Sequence, residues 1–263
     1  MSSGLRAFAS LLGVLAIHGV CPAARPDLAP WGEPVGADST GVLLVKTAYE
    51  CLHSSHLKLS RWVAYRAEGE DSTSTRYSGR FFPDPDLKPG SRAELVDYKG
   101  LCRKDMLGFD RGHQAPDATI RSFGPEAQRE TYSLANITPQ HSQLNEGLWQ
   151  DIEAAIRSWS SPERPVWVVT GPVFFAEQET TWLGPDRVAV PHAYFAVLAR
   201  NRNPRVLSFL VPNFAEGPWH TSLKPFLVSV ESVETLTGLD FLSDLPDSLE
   251  RRLESPRPSA LWR

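Results

Sequence analysis

Short apolar runs rich in β-branched and aromatic residues recur along the chain, and most are bounded by glycine or proline. Such runs are typical of β-strands. Most of them follow one another without an intervening helical pattern, which favours an α+β protein over a doubly wound parallel sheet. The sequence therefore predicts an α+β fold with strands at 61–65, 166–170, 188–198 and 206–211.

One segment has the pattern of an amphipathic helix. Between Ser142 and Trp159, apolar residues recur at the spacing of one helical face, at positions 144, 148, 152, 155, 156 and 159. Ser142 is the expected N-cap. Asn145 and Glu153 are separated by about 80° of helical phase. We therefore expect both to border one cleft while positions 148 and 152 face the core.

The first 24 residues differ in character from the rest of the chain. A single arginine precedes a nearly continuous apolar run at Leu11–Val20, and Cys21 follows. The run is shorter than the roughly 20 residues that a membrane helix needs, so residues 1–24 are predicted to be a secretory signal peptide. Cys21 would also suit a lipoprotein, although the bulky residue before it disfavours that reading. We expect cleavage near Ala23 or Ala24, a secreted or periplasmic protein, and no membrane contact in the mature form.

Removal of the signal peptide leaves two cysteines, Cys51 and Cys102. In an oxidising compartment an even pair is typical of a disulfide. The alternative is a metal site built from Cys51, His53 and His56, but no second cluster lies at the spacing of a zinc finger. The disulfide is the preferred interpretation.

Composition and length indicate a single folded domain. The chain has 263 residues, of which 41% are hydrophobic and 22% charged, an ordinary globular balance. Residues 25–40 are rich in proline, glycine, aspartate and serine and predict a flexible lead. Residues 246–263 mix charges and prolines without apolar periodicity and predict a mobile tail. The folded domain is expected at 41–245.

The net charge of −4 excludes a uniformly basic surface for nucleic acid. Any polyanion site must therefore be local. The segment 80–111 has seven basic and six acidic side chains, so its charge is only mildly favourable. A phosphate loop ending in Gly-Lys-Ser/Thr, a Gly-x-Ser-x-Gly elbow and a His-Glu-x-x-His motif do not occur in the sequence.

Candidate chemistry is concentrated in two clusters. The first is Asp110–His113, which combines a base, a cation and a glycine. By itself it has a simple structural reading, in which Asp110 and Arg111 form a surface ion pair and Gly112 makes a tight turn. The second cluster, 136–140, directly precedes the predicted helix. Its asparagine could be only a turn former, but the helix behind it adds further polar groups.

Together these segments resemble the DNA/RNA non-specific endonuclease family, the ββα-metal nucleases that include secreted bacterial sugar-non-specific nucleases and mitochondrial endonuclease G. The main motifs are 108–116 (GFDRGHQAP), 135–140 (ANITPQ) and 144–149 (LNEGLW) with Glu153. Supporting segments are 62–65, Arg80 ahead of 84–85, 168–174 and 230–239, so the likeness spans about 50–245. Two positions depart from the family pattern, Ala196 in place of a common lysine and Glu146 in place of a common glutamine.

The resemblance implies a ββα-metal fold with a central, mostly antiparallel sheet and flanking helices. It implies that His113 is the general base that activates water, and an imidazole that titrates near neutrality suits that task. Asn145 would be the one direct protein ligand of Mg²⁺, with Mn²⁺ as a substitute, and Glu153 would hold the ion through water. Arg111 and Arg80 would bind the scissile phosphate. Asn136 would orient the site or touch phosphate.

A site that binds phosphate and metal reads the nucleic-acid backbone and carries little base information. We therefore expect cleavage of both DNA and RNA, single- or double-stranded, with salt-sensitive binding. A homodimer and a protein inhibitor are further expected partners by likeness. Two other functions remain open from the sequence, a catalytically silent nucleic-acid-binding relative and a secreted protein that mainly binds another protein.

Overall fold

The computed structural model describes residues 28, 31–36, 41–70, 77, 79–100, 108–201, 204–217 and 222–262. The strands within these ranges are β1 (Val35–Gly36), β2 (Val42–Val45), β3 (Tyr49–Ser54), β4 (Leu59–Ala67), β5 (Phe109–His113), β6 (Ile137–His141), β7 (Val166–Val173), β8 (Thr181–Leu183), β9 (Val188–Val190), β10 (Ala193–Arg200), β11 (Arg205–Pro212), β12 (Leu227–Val228) and β13 (Leu239–Asp240). The helices are α1 (Asp117–Ile120), α2 (Pro125–Glu130), α3 (Ser142–Leu144), α4 (Gln150–Trp159), α5 (Val230–Thr237) and α6 (Asp247–Glu254).

Seven strands form a central sheet in the order β12-β11-β10-β7-β4-β3-β2. Every neighbouring pair in it is antiparallel. With helices packed against it, the protein has the predicted α+β architecture with a central antiparallel sheet. The predicted run 188–198 is two strands, because β9 pairs with β8 while β10 belongs to the central sheet. Pro191 lies between them and has no N–H to continue a ladder.

The sheet has a hydrophobic core on each face. Along β4, Val63 and Tyr65 belong to the first core, whereas Trp62 and Ala64 belong to the second. This follows from the alternation of side chains along a strand. The first core also contains the buried residues of the helical segment 142–159, and the second contains those of α5.

The β5–β6 hairpin lies on the side of the first core as a separate two-stranded unit. It is fastened to the central sheet through the carbonyl oxygen of Pro139. The Tyr194 hydroxyl donates to this oxygen at 2.8 Å, and the Asn213 amide donates to it at 3.1 Å. Thr170 of β7 also donates to the carbonyl oxygen of Gln114, just beyond β5, at 3.0 Å. Three hydrogen bonds therefore hold the hairpin and its exit against the sheet.

The predicted helix at 142–159 is confirmed, but its beginning differs from the prediction. It consists of α3, a π-helical turn at Asn145–Trp149 and α4, with a kink at Gly147. The residue at the N-cap is His141. Ser142 lies inside the first turn, where its hydroxyl donates to the carbonyl oxygen of Gly108 and to Asp110. The serine therefore links the helix to β5 rather than capping it.

Both predicted flexible ends are wrong where the structure describes them. In the lead, Trp31 is buried in the second core and β1 pairs with β13. In the tail, residues 247–254 form α6, and the buried Trp262 packs edge-on against Trp159. Aromatic side chains among the prolines and charges supply this packing, which a search for periodicity does not detect. The predicted signal peptide lies outside the described residues, and no described helix is long and apolar enough to cross a membrane.

The predicted disulfide is not supported. Cys51 is a free cysteine that is fully buried in the first core, and Cys102 lies outside the described residues. Burial raises the pKa of the Cys51 thiol to about 12, which keeps it protonated. The zinc alternative is not supported either, because the Nε2 atom of His53 lies 2.9 Å from the carbonyl oxygen of Ser91. The described residues contain no group of three histidine, cysteine or acidic side chains placed to hold a metal.

Candidate active site

His113 is the last residue of β5. Its Nε2 atom is buried and has no hydrogen-bond partner in the described protein. Aromatic rings surround the imidazole, with the Phe81 centroid at 5.5 Å and the Tyr132 centroid at 5.2 Å. Burial lowers the pKa of His113 to about 4, with Asp117 opposing and Arg111 adding to this shift. The imidazole is therefore neutral near pH 7 and can accept a proton.

A glycine is required at position 112 of the motif because the Gln140 side chain packs closely against it. It lies within strand β5 rather than in the predicted tight turn. A Cβ atom here would lie 2.3 Å from Oε1 of Gln140, its diagonal neighbour on β6. Only glycine leaves room for this buried side chain, because real Cβ atoms do not approach another heavy atom so closely.

Asp110 connects the first sequence cluster to the helix. Its two carboxylate oxygens accept hydrogen bonds from Ser142 Oγ at 2.7 Å and from Asn145 Nδ2 at 3.0 Å. A carboxylate only accepts hydrogen bonds, so the nitrogen of the Asn145 amide must face Asp110 and the amide oxygen is left for another partner. The simple reading, a surface ion pair between Asp110 and Arg111, does not describe this carboxylate.

His113 of the first cluster and the helix that follows the second cluster meet in one open cleft of about 280 Å³. His113 lies on one side, and Asn145 and Glu153 line the helical side, as their spacing predicts. The kink at Gly147, between the two residues, changes the angle at which the two helical side chains project. The cleft also contains Pro116, Asp117, Ala118, Tyr132, Glu146 and Gln150.

Glu153 is held in a poorly solvated position. Burial raises its pKa to about 8, and the neighbouring guanidinium of Arg157 partly offsets this shift. A carboxyl group so destabilised as an anion gains from any positive charge that enters the cleft. The amide oxygen of Asn145, which is left free by the bond to Asp110, would also bind such a cation.

Arg111 and Arg80 lie beside this cleft rather than in it. Both line an adjacent groove, which also contains Phe81. The Arg111 guanidinium carbon lies 4.4 Å from the centroid of the Phe81 ring, and the His113 centroid lies 5.5 Å from the same ring. Phe81 therefore contacts one residue of each depression and keeps a cation close to the imidazole.

Asn136 is not placed to touch phosphate. It is completely buried, and its side chain bonds only to backbone atoms. Its oxygen accepts from the Ala115 N–H at 2.8 Å, while its nitrogen donates to the carbonyl oxygens of Ala115 and Thr131. The expectation of a phosphate contact is therefore wrong, because the amide is used to fix the chain that leaves His113.

Four residues of the site were given no role in it from the sequence. Asp110 orients Asn145, Phe81 and Tyr132 enclose His113, and Asp117 lines the cleft. Only Asp110 had a signal, since it lies in the same tetrapeptide as His113. The aromatic residues come from distant segments, so no local spacing could have indicated them.

The donor set fits a hard cation that keeps most of its water. Asn145 offers an amide oxygen and Glu153 a carboxylate, and these are the ligand types that Mg²⁺ prefers. No larger cluster of ligands is present in the described part of the chain. A fully protein-coordinated metal such as structural zinc would need four such groups.

Comparisons with known proteins agree with this geometry. The model of the DNA/RNA non-specific endonuclease family matches residues 33–248, and the chain belongs to this family. Its sequence is 32% identical to the nuclease of Serratia marcescens, over 88% of this chain and 85% of that protein. It is 31% identical to mitochondrial endonuclease G of Bos taurus, over 90% and 80% respectively. It is 37% identical to human mitochondrial nuclease EXOG, over 72% of this chain and 53% of that protein.

A solved structure shows the same fold. The crystal structure of the EndoG/EndoGI complex has a chain that matches with a TM-score of 0.74 and 23% identity, over 86% of this chain and 94% of that one. The family match begins and ends outside the predicted domain at 41–245, which agrees with the packed segments found at both ends. The protein is thus a hydrolase of the endonuclease class that acts on nucleic acids.

Proposed function

We propose that this protein is an exported, Mg²⁺-dependent endonuclease that hydrolyses phosphodiester bonds of DNA and RNA with little sequence specificity. The observation that carries the proposal is the pairing of a neutral, unpartnered imidazole with an oriented amide in one cleft. The Nε2 atom of His113 has no partner, and Asp110 turns the oxygen of Asn145 away from itself. A neutral imidazole nitrogen that no protein group engages is available to accept a proton from water.

His113 acts as the general base. In a neutral ring, the unprotonated nitrogen takes a proton from the water that attacks phosphorus. The depressed pKa keeps the ring neutral over the physiological range, at the cost of a weaker base. Phe81 and Tyr132 restrict the ring and limit the water around it.

Asn145 would be the direct protein ligand of the cation, and Glu153 would hold it through water. When bound, Mg²⁺ supplies positive charge against the negative charge that develops on the phosphate. Mn²⁺ has similar ligand preferences and would substitute. The raised pKa of Glu153 belongs to the protein without the cation, and a neighbouring positive charge favours the ionised carboxylate.

Arg111 and Arg80 bind the phosphate. A planar guanidinium presents two N–H groups that match two phosphate oxygens. Because the site contacts phosphate, it reads a feature common to all nucleic acids, and its binding weakens as salt rises.

The first test incubates the full chain with supercoiled plasmid and with a structured RNA, with Mg²⁺, with Mn²⁺ and with EDTA. We expect metal-dependent loss of both substrates, abolished in His113→Ala. Binding without cleavage in either metal would favour the silent relative instead. A tight protein complex with no cleavage would favour a protein that mainly binds a partner.

Location and partners are further parts of the proposal. The apolar N-terminal 24 residues support export, and mass spectrometry of the secreted protein would show a new N-terminus near Ala23 or Ala24. The similar structure is the EndoG/EndoGI complex, in which EndoG is inhibited, and this supports a protein inhibitor as a partner here as well. Sedimentation of the purified chain would test the expected homodimer.

A further inference from the structure

The groove beside the catalytic cleft has a composition that phosphate binding alone does not explain. Its volume is about 850 Å³, and three cations line it, namely Arg80, Lys99 and Arg111. Between them lie Leu95 and Val96, whose residues are 47% and 51% exposed. Large apolar side chains exposed in a concave, basic surface are typical of binding sites rather than of ordinary surface.

The three cations are available for a ligand. Within the described part of the chain, none of them forms an ion pair or a side-chain hydrogen bond. Leu95 and Val96 form the apolar wall of the groove, and the acidic residues next to this wall already have hydrogen-bond or ion-pair partners. Glu94 pairs with Arg92 at 2.9 Å, and the Asp97 carboxylate accepts the backbone N–H groups of Glu94 and Asp186. The groove therefore attracts an anion.

The apolar wall is fixed relative to the catalytic base. Tyr98, adjacent to Lys99, is buried, and its hydroxyl donates at 3.3 Å to the carbonyl oxygen of Ile137. Ile137 is the partner of His113 across the β5–β6 hairpin. The Asp97 carboxylate holds the other end of the wall through its bonds to the backbone. A strand lying on Leu95 and Val96 would thus have a defined position relative to the imidazole.

We propose that this groove binds the unpaired nucleotides next to the scissile phosphate and gives the enzyme a preference for single-stranded substrate. The inference rests on the proposed function, because it takes the occupant to be nucleic acid. Lys99 contacts a flanking phosphate, while Leu95 and Val96 contact bases or sugars. A duplex keeps its bases stacked inside and presents only its backbone, so it gains from the cations and not from the apolar wall. Basic grooves with an apolar or aromatic floor are the usual surfaces for single strands.

The test measures binding separately from cleavage. The full chain in EDTA is titrated with a labelled single strand of about 16 nucleotides and with the matching duplex. The Leu95→Ser/Val96→Ser variant is expected to weaken single-strand binding about five- to tenfold and to change duplex binding by less than about twofold. The matched control is Val42→Ser/Val45→Ser on β2, where residues of similar exposure, 42% and 47%, do not line the groove. It should change neither.

A second variant tests the same surface in the opposite direction. Val96→Phe adds a ring on which a base can stack, and we expect tighter single-strand binding with unchanged duplex binding. Lys99→Ala should weaken both substrates alike and reduce the slope of log affinity against log salt by about one, whereas Lys224→Ala should not. Thermal unfolding curves equal to the wild type show that each variant is folded.

Equal effects on single strand and duplex, no effect of the apolar substitutions, or a wild type that binds duplex as tightly as single strand would overturn the inference. Plasmid nicking in Mg²⁺ by the same wild-type preparation tests the proposed function separately. If the wild type nicks plasmid but the Leu95→Ser/Val96→Ser variant shows no selective loss of single-strand binding, only the proposal for the groove is refuted. If the wild type does not nick plasmid but binds single strands selectively in EDTA, the proposed nuclease function is refuted and the proposal for the groove stands.

Discussion

The central sheet and the β5–β6 hairpin bury different kinds of groups. Strand β10 of the sheet buries an almost unbroken apolar run, and only its last residue is partly exposed. Strand β6 of the hairpin buries Thr138 and Gln140, and both polar atoms of the Gln140 side chain have no hydrogen-bond partner. The Nε2 atom of His113 on β5 also has no hydrogen-bond partner. The sheet has such atoms at His53, Trp62 and Arg200, but they are spread over three of its seven strands, whereas the hairpin has three within two short strands. The hairpin therefore concentrates costly polar groups that a stable fold does not require.

Replacing the base should separate activity from stability most completely. His113→Ala is expected to lower kcat/KM about 10²- to 10⁴-fold, because that is the usual contribution of a positioned base. The free energy of unfolding should stay the same or rise, since the variant removes a buried nitrogen without a partner. Plasmid cleavage and urea unfolding of one preparation measure both. A large loss of stability would show that the imidazole is structural.

A substitution on the other face of the sheet should have the converse effect, a loss of stability with activity unchanged. Phe195 on β10 is fully buried in the second core and packs against Phe241, with ring centroids 5.5 Å apart. Phe195→Ala is expected to lower the free energy of unfolding by about 3–5 kcal/mol. At temperatures well below the transition, kcat/KM should change by less than about twofold. A loss of activity comparable to that of His113→Ala would contradict the separation of the two regions.

Weakening the hydrogen bond between Asp110 on the hairpin and Asn145 on the helix should have an intermediate effect on activity. Asp110→Asn has nearly the same shape, but it keeps one acceptor oxygen for the two donors, Ser142 and Asn145, and loses the charge that fixes the orientation of the Asn145 amide. We expect a 10- to 100-fold loss of apparent Mg²⁺ affinity, as for other residues that orient a metal ligand. Cleavage is titrated with Mg²⁺, and the loss should shrink at saturating metal. Asp86→Asn, at an exposed carboxylate away from the cleft, is the control.

The smallest effect concerns pH and the C-terminal helix, which is remote from the hairpin. Burial raises the pKa of Glu254 to about 8, and Glu234 adds to the shift. The folded state then holds a proton that the unfolded state releases near the ordinary pKa of 4.5, so this group's contribution to stability falls as the pH rises from about 4.5 to 8. Glu254→Gln removes the effect and should stabilise the protein by about 1–2 kcal/mol at pH 8.5 and little at pH 5. Unfolding curves at both pH values measure this, and an equal gain at both would contradict it. Glu177→Gln, at an exposed residue, should have no effect.

Part of the site was readable from local sequence. The helical pattern at 142–159 correctly predicted that Asn145 and Glu153 would share a cleft, because side chains at helical spacing lie on neighbouring faces. The kink at Gly147, which changes the angle between the two side chains, was not readable from spacing. The role of Asp110 was not readable, since an aspartate next to an arginine has the same letters whether it forms an ion pair or holds an amide 35 positions away. Asn136 shows the same limit, because its burial decides that it positions Ala115 rather than phosphate.

The sequence by itself determined the α+β class, the segments that become the main strands and helix, and the family, because these depend on local periodicity and on motifs in a fixed order. Tertiary structure alone decided the packing of both chain ends, the free state of Cys51, and the groove formed by Leu95, Val96 and Lys99 beside His113. These features depend on contacts between segments far apart in the chain. Burial and the loss of solvent at such contacts fix hydrogen-bond partners and pKa values, and no spacing along the sequence encodes them.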